Sequence, residues 1–281
     1  MGSPIVKCTE MAADKGKIAA VGVDRGGTWT RVSALDRRLR QLRYARLRTV
    51  PLRSLPKRLV PLVSSWPGAA AAPLAIATRG AFSREWKKPF LFKALKGRLN
   101  LRLVISDAEA AHYAAFRGGS GVLLIAGTGA VAFGGKPGNF RKTGGHNPPS
   151  GDPGSGRWLG RNYLKMRGRL KEAADMGHGR CAACAKPLLA LARRGHEAAA
   201  ALEREALLEL AALLKEAAPV KGGVRIALAG GLMKDGAFRR GLKREARLAL
   251  KGRRVRFLRP GLTAEQAAAR MAIEAGKGGK A

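Results

Sequence analysis

The stretch that decides the fold is IAAVGVDRGGTWTRVSALD, residues 18–36, in which two apolar runs flank a pair of glycines. Residues 18–24 predict a buried strand, and residues 30–36 predict a second strand after a tight turn. Glycines in such a turn let the backbone approach a phosphate closely, and successive N–H groups form a nest for an anion. A single turn of this kind is weak evidence, because many hairpins need glycine for their backbone angles.

The same unit occurs again as VLLIAGTGAVAF in residues 122–133, and a third apolar run, residues 224–229, also ends in a glycine pair. Two strand–turn–strand units with helices alternating around them predict an α/β chain built as two related halves. Further strands are expected at 39–50, 74–77, 101–106 and 255–258. Helices are expected at 107–116, 157–174, 197–218, 235–250 and 263–275, with 52–64 left uncertain by its prolines and 134–156 assigned to loop.

Composition limits the class of protein. The 281 residues include 54 Lys and Arg against 19 Asp and Glu, a net charge of +35, and 46% of them are hydrophobic, which is typical of a globular chain. Three cysteines exclude a scaffold built on disulfides. The apolar runs are too short or too broken to span a membrane, and the first residues lack the apolar core of a signal peptide. We therefore expect a cytoplasmic protein without a membrane partner.

The charge raises the question of nucleic acid, since strongly basic domains often bind polyanions. Only 5% of the residues are aromatic, too few for an obvious platform on which bases would stack. Basic residues are also spread along the whole chain, although no acidic residue occurs between Arg37 and Arg84. Nucleic acid is therefore a partner that the charge allows and the rest of the sequence does not favour.

Five segments together resemble the sugar kinase, heat-shock ATPase and actin superfamily, in its N-acetylglucosamine kinase and BadF/BadG/BcrA/BcrD ATPase branch. They are VGVDRGGTWTRV (21–32), SDAEAAHYAAF (106–116), LLIAGTGAVAFG (123–134), GGHNPPSGDPGSGRWLGRNYL (144–164) and IALAGGLMKDGAF (226–238). The resemblance implies an α/β fold of two ribonuclease-H-like (actin-like ATPase) domains with a nucleotide cleft between them. We expect a flexible tail at 1–17, an acceptor-side domain at 18–117 and a nucleotide-side domain at 118–281, whose last helix packs back on the first domain.

The resemblance also implies roles for individual residues, with ATP and Mg²⁺ as cofactors. Asp24 would hold Mg²⁺ through water, and Asp107 would take the proton from the attacking sugar hydroxyl. The expected nucleotide contacts are Gly26, Gly27, Thr28, Gly127, Thr128, Gly129, Gly230, Gly231 and Lys234. The expected sugar contacts, besides Asp107, are Gly145, His146 and Asp152.

Three departures from the family pattern affect the acceptor side. Arg25 stands where the first turn usually has glycine, so its side chain either contacts phosphate or alters the turn. Pro153 stands where a Glu usually follows Asp152, which removes a carboxylate and an N–H donor. The sugar-binding Asn of the family has no clear counterpart in RLRTVPLRSLPKRL, residues 46–59.

Several candidates also have a purely structural interpretation. Asp107 is either the base or only the N-cap of the helix that follows it, and both Asp24 and Asp152 are typical turn residues. Cys181 and Cys184, three residues apart and preceded by His178, either share a metal ion or are free thiols. Cys8 or a second subunit would have to supply a further ligand.

Three functions follow from these observations. We expect a kinase of a small sugar, N-acetylglucosamine or a related hexosamine, acting as a homodimer. One alternative is a BadF-type ATPase that activates a partner enzyme, with Cys181 and Cys184 holding a cluster or metal between subunits. The other is a non-catalytic ATP-binding module whose basic surface recruits an acidic partner or nucleic acid, and such binding would depend steeply on salt.

Overall fold

The computed structural model describes residues 7–8, 16–81 and 84–277. The chain divides into two compact units, the first formed by Met1–Arg117 with Pro260–Ala281 and the second by Gly118–Arg259. The segment after Arg259, which we expected within the second domain, therefore belongs to the first unit. The tail expected at 1–17 lies outside the described residues except for 7–8 and 16–17, and residues 7–8 form a short strand.

The first unit is built on a six-stranded sheet with the order β1-β4-β3-β2-β5-β6. Its strands are β1 (Lys7–Cys8), β2 (Ala20–Arg25), β3 (Trp29–Leu35), β4 (Gln41–Arg48), β5 (Leu74–Thr78) and β6 (Leu101–Ile105). β1, β4, β3 and β2 pair antiparallel, whereas β2, β5 and β6 run parallel. The carboxyl ends of β2, β5 and β6 therefore lie side by side at one edge of this sheet.

Four helices cover both faces of this sheet: α1 (Leu55–Ser64), α2 (Lys87–Leu95), α3 (Asp107–Phe116) and, from the end of the chain, α10 (Ala264–Lys277). The sheet is thus the middle of three layers, and β2 shows why. Successive side chains of a strand point to opposite faces, so alternate residues of β2 pack against different helices. Val21 and Val23 join the core under α1 and α2, while Ala20 packs with α3 and α10.

Gly22, between these residues, allows α10 to come very close to the sheet. A Cβ atom at Gly22 would lie 1.9 Å from the carbonyl oxygen of Glu265, a distance that real Cβ atoms do not reach. The absence of a side chain at this position is therefore what brings the start of α10 against β2. The close approach also places Glu265, which is 4% exposed, beside the acidic end of β2.

The second unit has a five-stranded sheet with the order β11-β10-β7-β8-β9. Its strands are β7 (Gly121–Ala126), β8 (Ala130–Lys136), β9 (Asn139–Gly144), β10 (Val224–Ala229) and β11 (Val255–Leu258). β7, β8 and β9 pair antiparallel, while β7, β10 and β11 run parallel. The three-strand meander followed by two parallel strands repeats the arrangement β2, β3, β4, β5 and β6 of the first unit, as the two glycine turns predicted.

Six helices belong to this unit: α4 (Gly156–Met166), α5 (Leu170–Asp175), α6 (His178–Ala183), α7 (Ala185–Arg193), α8 (Glu197–Ala217) and α9 (Gly236–Ala249). α4, α7, α8 and α9 share one apolar core with β7, β8 and β10. α8 lies so close to β8 that a Cβ at Gly134 would be 1.8 Å from the carbonyl oxygen of Ala217.

The structure corrects two of the expected elements and adds three helices that were not expected. The segment 134–156 is not all loop, because Asn139–Gly144 forms the edge strand β9. The single helix expected at 157–174 is two helices, separated at Gly168, which has a positive φ of 69°. α2, α6 and α7 were not expected at all. Within the described ranges no helix is both long and apolar enough to cross a membrane.

Candidate functional site

The first glycine turn joins β2 to β3 and is open to solvent. The Gly26 N–H donates a hydrogen bond to the Trp29 carbonyl at 3.1 Å, and both Gly27 and Thr28 are exposed. A Cβ added at Gly27 would meet no atom within 4 Å, and Gly27 does not have a positive φ. The protein's own packing therefore does not require glycine here, and the space beside the backbone is free for a ligand such as a phosphate.

Arg25 does not alter this turn. It continues β2, paired with Thr30 of β3 and Thr78 of β5. Its guanidinium lies where the parallel strands β2, β5 and β6 reach their carboxyl ends, which we call the carboxyl edge of the sheet. There Nη2 donates to the Val50 carbonyl at 2.6 Å and Nη1 donates to Thr78 Oγ1 at 3.5 Å. The side chain of Arg25 is thus held by the first unit's own groups, and contact with phosphate stays a prediction.

Asp24, one residue earlier, is a buried carboxylate with too little positive charge around it. Burial raises its pKa to about 6 from the ordinary 3.8; Arg31, 3.1 Å away, lowers it, while the carboxylates of Glu265 and Asp107 raise it further. A divalent cation would relieve this excess of negative charge, and Mg²⁺ prefers carboxylate and water oxygens. The donor set at the end of β2 thus suits Mg²⁺.

Asp107 follows β6 at the same edge of the sheet, but it is not the residue that caps α3. The N-cap of α3 is Ser106, whose Oγ accepts from the Glu109 N–H at 3.0 Å while the Ser106 N–H donates to Glu109 Oε2 at 2.7 Å. This reciprocal pair is a complete capping box. The N-cap is therefore Ser106 and not Asp107, whose Oδ1 accepts from the Ala108 N–H at 3.0 Å and whose carboxylate is partly exposed.

The second glycine turn, between β7 and β8, is held from behind by Asp152. This carboxylate is 4% exposed; Oδ2 accepts from the Ala130 N–H at 3.0 Å and Oδ1 accepts from the Asn147 N–H at 2.6 Å. A Cβ at Gly129 would lie 2.7 Å from Asp152 Oδ2, so the glycine is needed for this contact. Asp152 therefore holds the turn in place through these hydrogen bonds. The sequence suggested a sugar contact or a residue of its own turn for Asp152, but not this support of the turn between β7 and β8.

The start of α4 holds the other side of the same turn. Ser155 caps α4, because its Oγ accepts a hydrogen bond from the Trp158 N–H. The Gly156 N–H donates to the Gly127 carbonyl at 2.7 Å, and the Arg157 N–H donates to the Thr128 carbonyl at 3.2 Å. Gly145 and His146, expected to contact sugar, lie just beyond β9. The Gly145 N–H donates to the Ala130 carbonyl at 2.8 Å, and His146 is exposed.

A cleft of about 560 Å³ in the second unit brings together four of the expected nucleotide contacts, Gly127, Thr128, Gly231 and Lys234. Such a volume is typical of sites for small molecules. The remaining wall consists of residues at the start of α4, at the junction of α6 and α7 and at the start of α9: Gly156, Ala182, Ala183, Ala185, Lys186, Leu189, Arg193, Leu232 and Asp235. Its alanines leave room for a flat apolar group, and Lys186, Lys234 and Arg193 provide positive charge.

Gly230, another expected nucleotide contact, does not line this cleft but directly precedes Gly231, which does. Gly230 has a positive φ of 99°, and a Cβ there would lie 2.2 Å from the Ala126 carbonyl oxygen. Asp235 lines the cleft and caps α9 through Oδ1, while its Oδ2 accepts from Arg193 Nη1 at 2.8 Å. This ion pair joins α7 to the start of α9, and it could not be predicted from local sequence because its partners are 42 residues apart.

The two cysteines turn their thiols toward the protein. Cys181 is buried and its Sγ donates to the Arg157 carbonyl at 3.6 Å, while the Cys184 Sγ donates to the Arg180 carbonyl at 3.7 Å. Burial raises the pKa of the Cys181 thiol, which disfavours the thiolate that a metal needs. In residues 7–8, 16–81 and 84–277 no three His, Cys, Asp or Glu side chains gather as a metal site.

Comparison with known proteins gives a family and a fold. The profile of the BadF/BadG/BcrA/BcrD ATPase family matches residues 96–252. The structure resembles a candidate N-acetylglucosamine kinase from Chromobacterium violaceum, with 24% identity, a TM-score of 0.68 and coverage of 90% of this chain and 98% of that one. It also resembles a ROK family glucokinase from Streptomyces griseus, solved with glucose and AMPPNP (20% identity, TM-score 0.61, coverage 91% and 99%).

A ROK hexokinase from Thermus thermophilus shows the same degree of likeness, with 20% identity, a TM-score of 0.61 and coverage of 91% and 99%. At these identities the likeness establishes the fold, two ribonuclease-H-like domains. A search among curated protein sequences gives no significant match.

Proposed function

Because the chain belongs to the BadF/BadG/BcrA/BcrD ATPase family, we propose that it is an ATP- and Mg²⁺-dependent kinase of a small sugar, N-acetylglucosamine or a related hexosamine. The observation that carries this proposal is the state of Asp107. Ser106 and Glu109 complete the cap of α3, so the Asp107 carboxylate is left partly exposed at the carboxyl edge of the sheet. A carboxylate in this position can accept the proton that an attacking hydroxyl loses.

The proposed reaction forms a bond between a sugar hydroxyl oxygen and the γ-phosphorus of ATP. The bond from that phosphorus to the bridging oxygen breaks, and ADP leaves with the electron pair. Asp107 accepts the hydroxyl proton, which raises the nucleophilicity of the oxygen as it attacks. Mg²⁺, when bound, would offset the negative charge of the phosphate oxygens.

Each unit contributes chemistry that suits this reaction. In the first unit, Asp24 would hold Mg²⁺, and the exposed backbone of Gly26, Gly27 and Thr28 offers N–H donors to phosphate. In the second unit, the cleft lined by Gly127, Thr128, Gly231 and Lys234 would take the nucleotide. Gly145 and His146 remain the proposed sugar contacts of this unit, while Asp152 is proposed to act through the turn that it braces.

The test is transfer from ATP to a panel of sugars by the wild type and by Asp107→Asn. The substitution keeps the size of the side chain and removes the proton acceptor, so kcat should fall about 100-fold or more while ATP binding is retained. Glu85→Gln is the matched control, because it removes an exposed carboxylate from the same unit. Full activity of Asp107→Asn would contradict the assigned base.

The family also supports a second candidate, an ATPase that activates a partner protein. Such a protein would release inorganic phosphate at a rate that no sugar changes. The buried Cys181 thiol and the absence of a third metal-binding side chain nearby, within the part of the chain that the structure describes, do not favour a metal centre on this chain. Iron or zinc retained after anaerobic purification would favour this candidate over the kinase.

A further inference from the structure

Positive charge collects at the carboxyl edge of the first sheet, on the side where Asp107 lies. β2, β5 and β6 are neighbours in the sheet and run parallel. β2 ends at Arg25 and β5 at Thr78, which are paired in register, and Arg79 follows directly. Because adjacent strands lie about 4.8 Å apart, the residues that end these strands are held within reach of one another.

Arg25 is fixed in this edge as a partly buried cation. Its two terminal nitrogens bond to Val50 and Thr78, and its Nε is buried with no hydrogen-bond partner in the described part of the chain. Burial lowers the pKa of this guanidinium, which means that the folded chain holds the charge at a cost. A cation placed in this way, without a carboxylate of its own, favours a bound anion.

Lys87 adds a second fixed cation from the first residue of α2. Its Nζ donates to the Arg79 carbonyl at 2.5 Å, which ties the helix to the loop after β5. Burial lowers the pKa of Lys87, the charges of Arg84, Arg25 and Arg79 lower it further, and Asp107 raises it. The charges of Arg84, Arg25, Arg79 and Asp107 are thus all near enough to Lys87 to act on it.

The local acidic groups do not balance this charge. Asp107 is the one carboxylate among these charges that act on Lys87. Asp24 is already paired with Arg31 at 3.1 Å, and Glu85, next to Arg84 in the chain, is a single exposed carboxylate. A neutral sugar would leave the cations to water, whereas an acceptor with its own negative charge would be attracted and oriented by them. Hydrogen bonds from Arg or Lys to a carboxylate or phosphate are also stronger than bonds between neutral groups.

We propose that the acceptor sugar carries an anionic group, a carboxylate or a phosphate, which Arg79 and Lys87 bind beside Asp107. Arg25 supports this subsite by its fixed charge. The inference rests on the proposed phosphoryl transfer and deepens it: among small sugars related to N-acetylglucosamine, an acceptor that carries a negative charge is used in preference to the neutral sugar.

The experiment compares three acceptors at saturating ATP and Mg²⁺: N-acetylglucosamine, which is neutral, D-glucuronate, which carries a carboxylate, and D-glucosamine 6-phosphate. The steady-state kcat/KM of one charged sugar should exceed that of the neutral sugar by about tenfold or more. The better charged sugar identifies the anionic group. Formation of the phosphorylated sugar is measured directly, by mass spectrometry, beside the release of ADP.

Lys87→Gln and Arg79→Gln should each lower kcat/KM for the charged sugar about tenfold to hundredfold, with little change for the neutral sugar. The KM for ATP should stay unchanged. Lys88→Gln is the matched control, since it removes the same charge from the next, exposed residue of α2. Rising salt should raise the KM of the charged sugar in the wild type and less so in the variants.

Two results would overturn the inference alone: equal use of neutral and charged sugars by the wild type, or Gln variants that impair ATP binding and not the acceptor. The second would assign the cations to ATP phosphate. If no sugar is phosphorylated while ADP still forms, the proposed function fails and the inference fails with it, so the two failures are distinguishable.

Discussion

Replacing Asp24 with Asn should stabilise the free protein at neutral pH while it removes the proposed Mg²⁺ ligand. The carboxylate is 8% exposed, its pKa is raised from 3.8 to about 6, and burial is the main cause. A folded chain that holds a proton more tightly than the unfolded chain loses stability as pH rises between these two values. Above about pH 6 the loss is complete and constant.

The size of this loss follows from the shift. About two pKa units, at 1.36 kcal/mol each, correspond to about 3 kcal/mol at pH 7.5. The corresponding loss at pH 4.5 is about 1 kcal/mol, because the unfolded carboxyl is then mostly ionised while the folded one is still protonated, and only about 0.7 of a pH unit of the interval between the two pKa values has been crossed. Asn has no charge to desolvate, and Arg31, whose side chain is 38% exposed, can regain water when it loses its partner. The variant should therefore gain up to about 3 kcal/mol at pH 7.5 and about 1 kcal/mol at pH 4.5.

The assay is urea unfolding in the presence of EDTA across this pH range. Of the four tryptophans, Trp29, Trp66 and Trp86 belong to the first unit and Trp158 to the second. A Trp158→Phe background makes fluorescence report on the first unit alone, so that separate unfolding of the two units does not distort the result.

Asp36→Asn serves as a control with the opposite sign. Asp36 is buried in the same unit, but the Arg40 N–H and guanidinium and the Arg38 N–H outweigh the effect of burial and hold its pKa below the ordinary value. Its contribution to stability is present at neutral pH and is lost as pH falls. Asp36→Asn should therefore destabilise most at pH 7.5. An Asp24→Asn protein that is no more stable than the wild type at pH 7.5, or whose gain is the same at both pH values, would refute this reasoning.

Two further predictions use contacts in the two units. Gly22→Ala should destabilise the chain by more than about 2 kcal/mol, because its Cβ would lie 1.9 Å from the Glu265 carbonyl oxygen. Gly27→Ala should change stability by less than about 0.5 kcal/mol and raise the KM for ATP, because a Cβ there meets no atom of the protein within 4 Å. Urea unfolding measures the stability of both variants and initial rates measure the KM; equal stability of the two variants would count against the close packing of α10. Asp152→Ala should cost about 2 kcal/mol of stability, since it leaves the buried N–H of Ala130 without a partner and removes the bond to the Asn147 N–H. An unchanged melting temperature with only a higher KM for the sugar would make Asp152 a substrate ligand.

Much of the fold could be predicted from the sequence because apolar runs and glycine turns mark buried parallel strands. β10 and β11 lie where they were expected, at Val224–Ala229 and Val255–Leu258. β9 was missed because NFRKTG is an edge strand whose residues are mostly exposed, so it carries no hydrophobic pattern. The break between α4 and α5 depends on the positive φ of Gly168, and a glycine inside a helical pattern does not by itself show whether the helix ends there.

The candidate site was predictable where it depends on local sequence. The two glycine turns and the carboxylates Asp24 and Asp107 follow strands that the pattern predicts, and neighbouring strand ends share one edge. What the sequence could not provide are long-range contacts. Glu265 acts on Asp24 only because α10 packs against Gly22, and Ser106 rather than Asp107 caps α3 because of its reciprocal bonds with Glu109.

The net charge of +35 also has a more definite interpretation in the structure. Arg79 and Arg84, which belong to the stretch without acidic residues, act on Lys87 together with Arg25 and Asp107. Part of the remaining positive charge lies over aromatic rings. The guanidinium carbons of Arg46 and Arg48 lie 3.8 and 4.4 Å from the centroid of the Trp29 ring.

The most direct test of the account is ³¹P NMR of ATP and Mg²⁺ incubated with the sugar panel and the protein. The account predicts a phosphomonoester signal on one sugar, formed in equal amount with ADP by the wild type and absent with Asp107→Asn. ADP formed with inorganic phosphate alone, at a rate that neither the sugars nor Asp107→Asn changes, would contradict it.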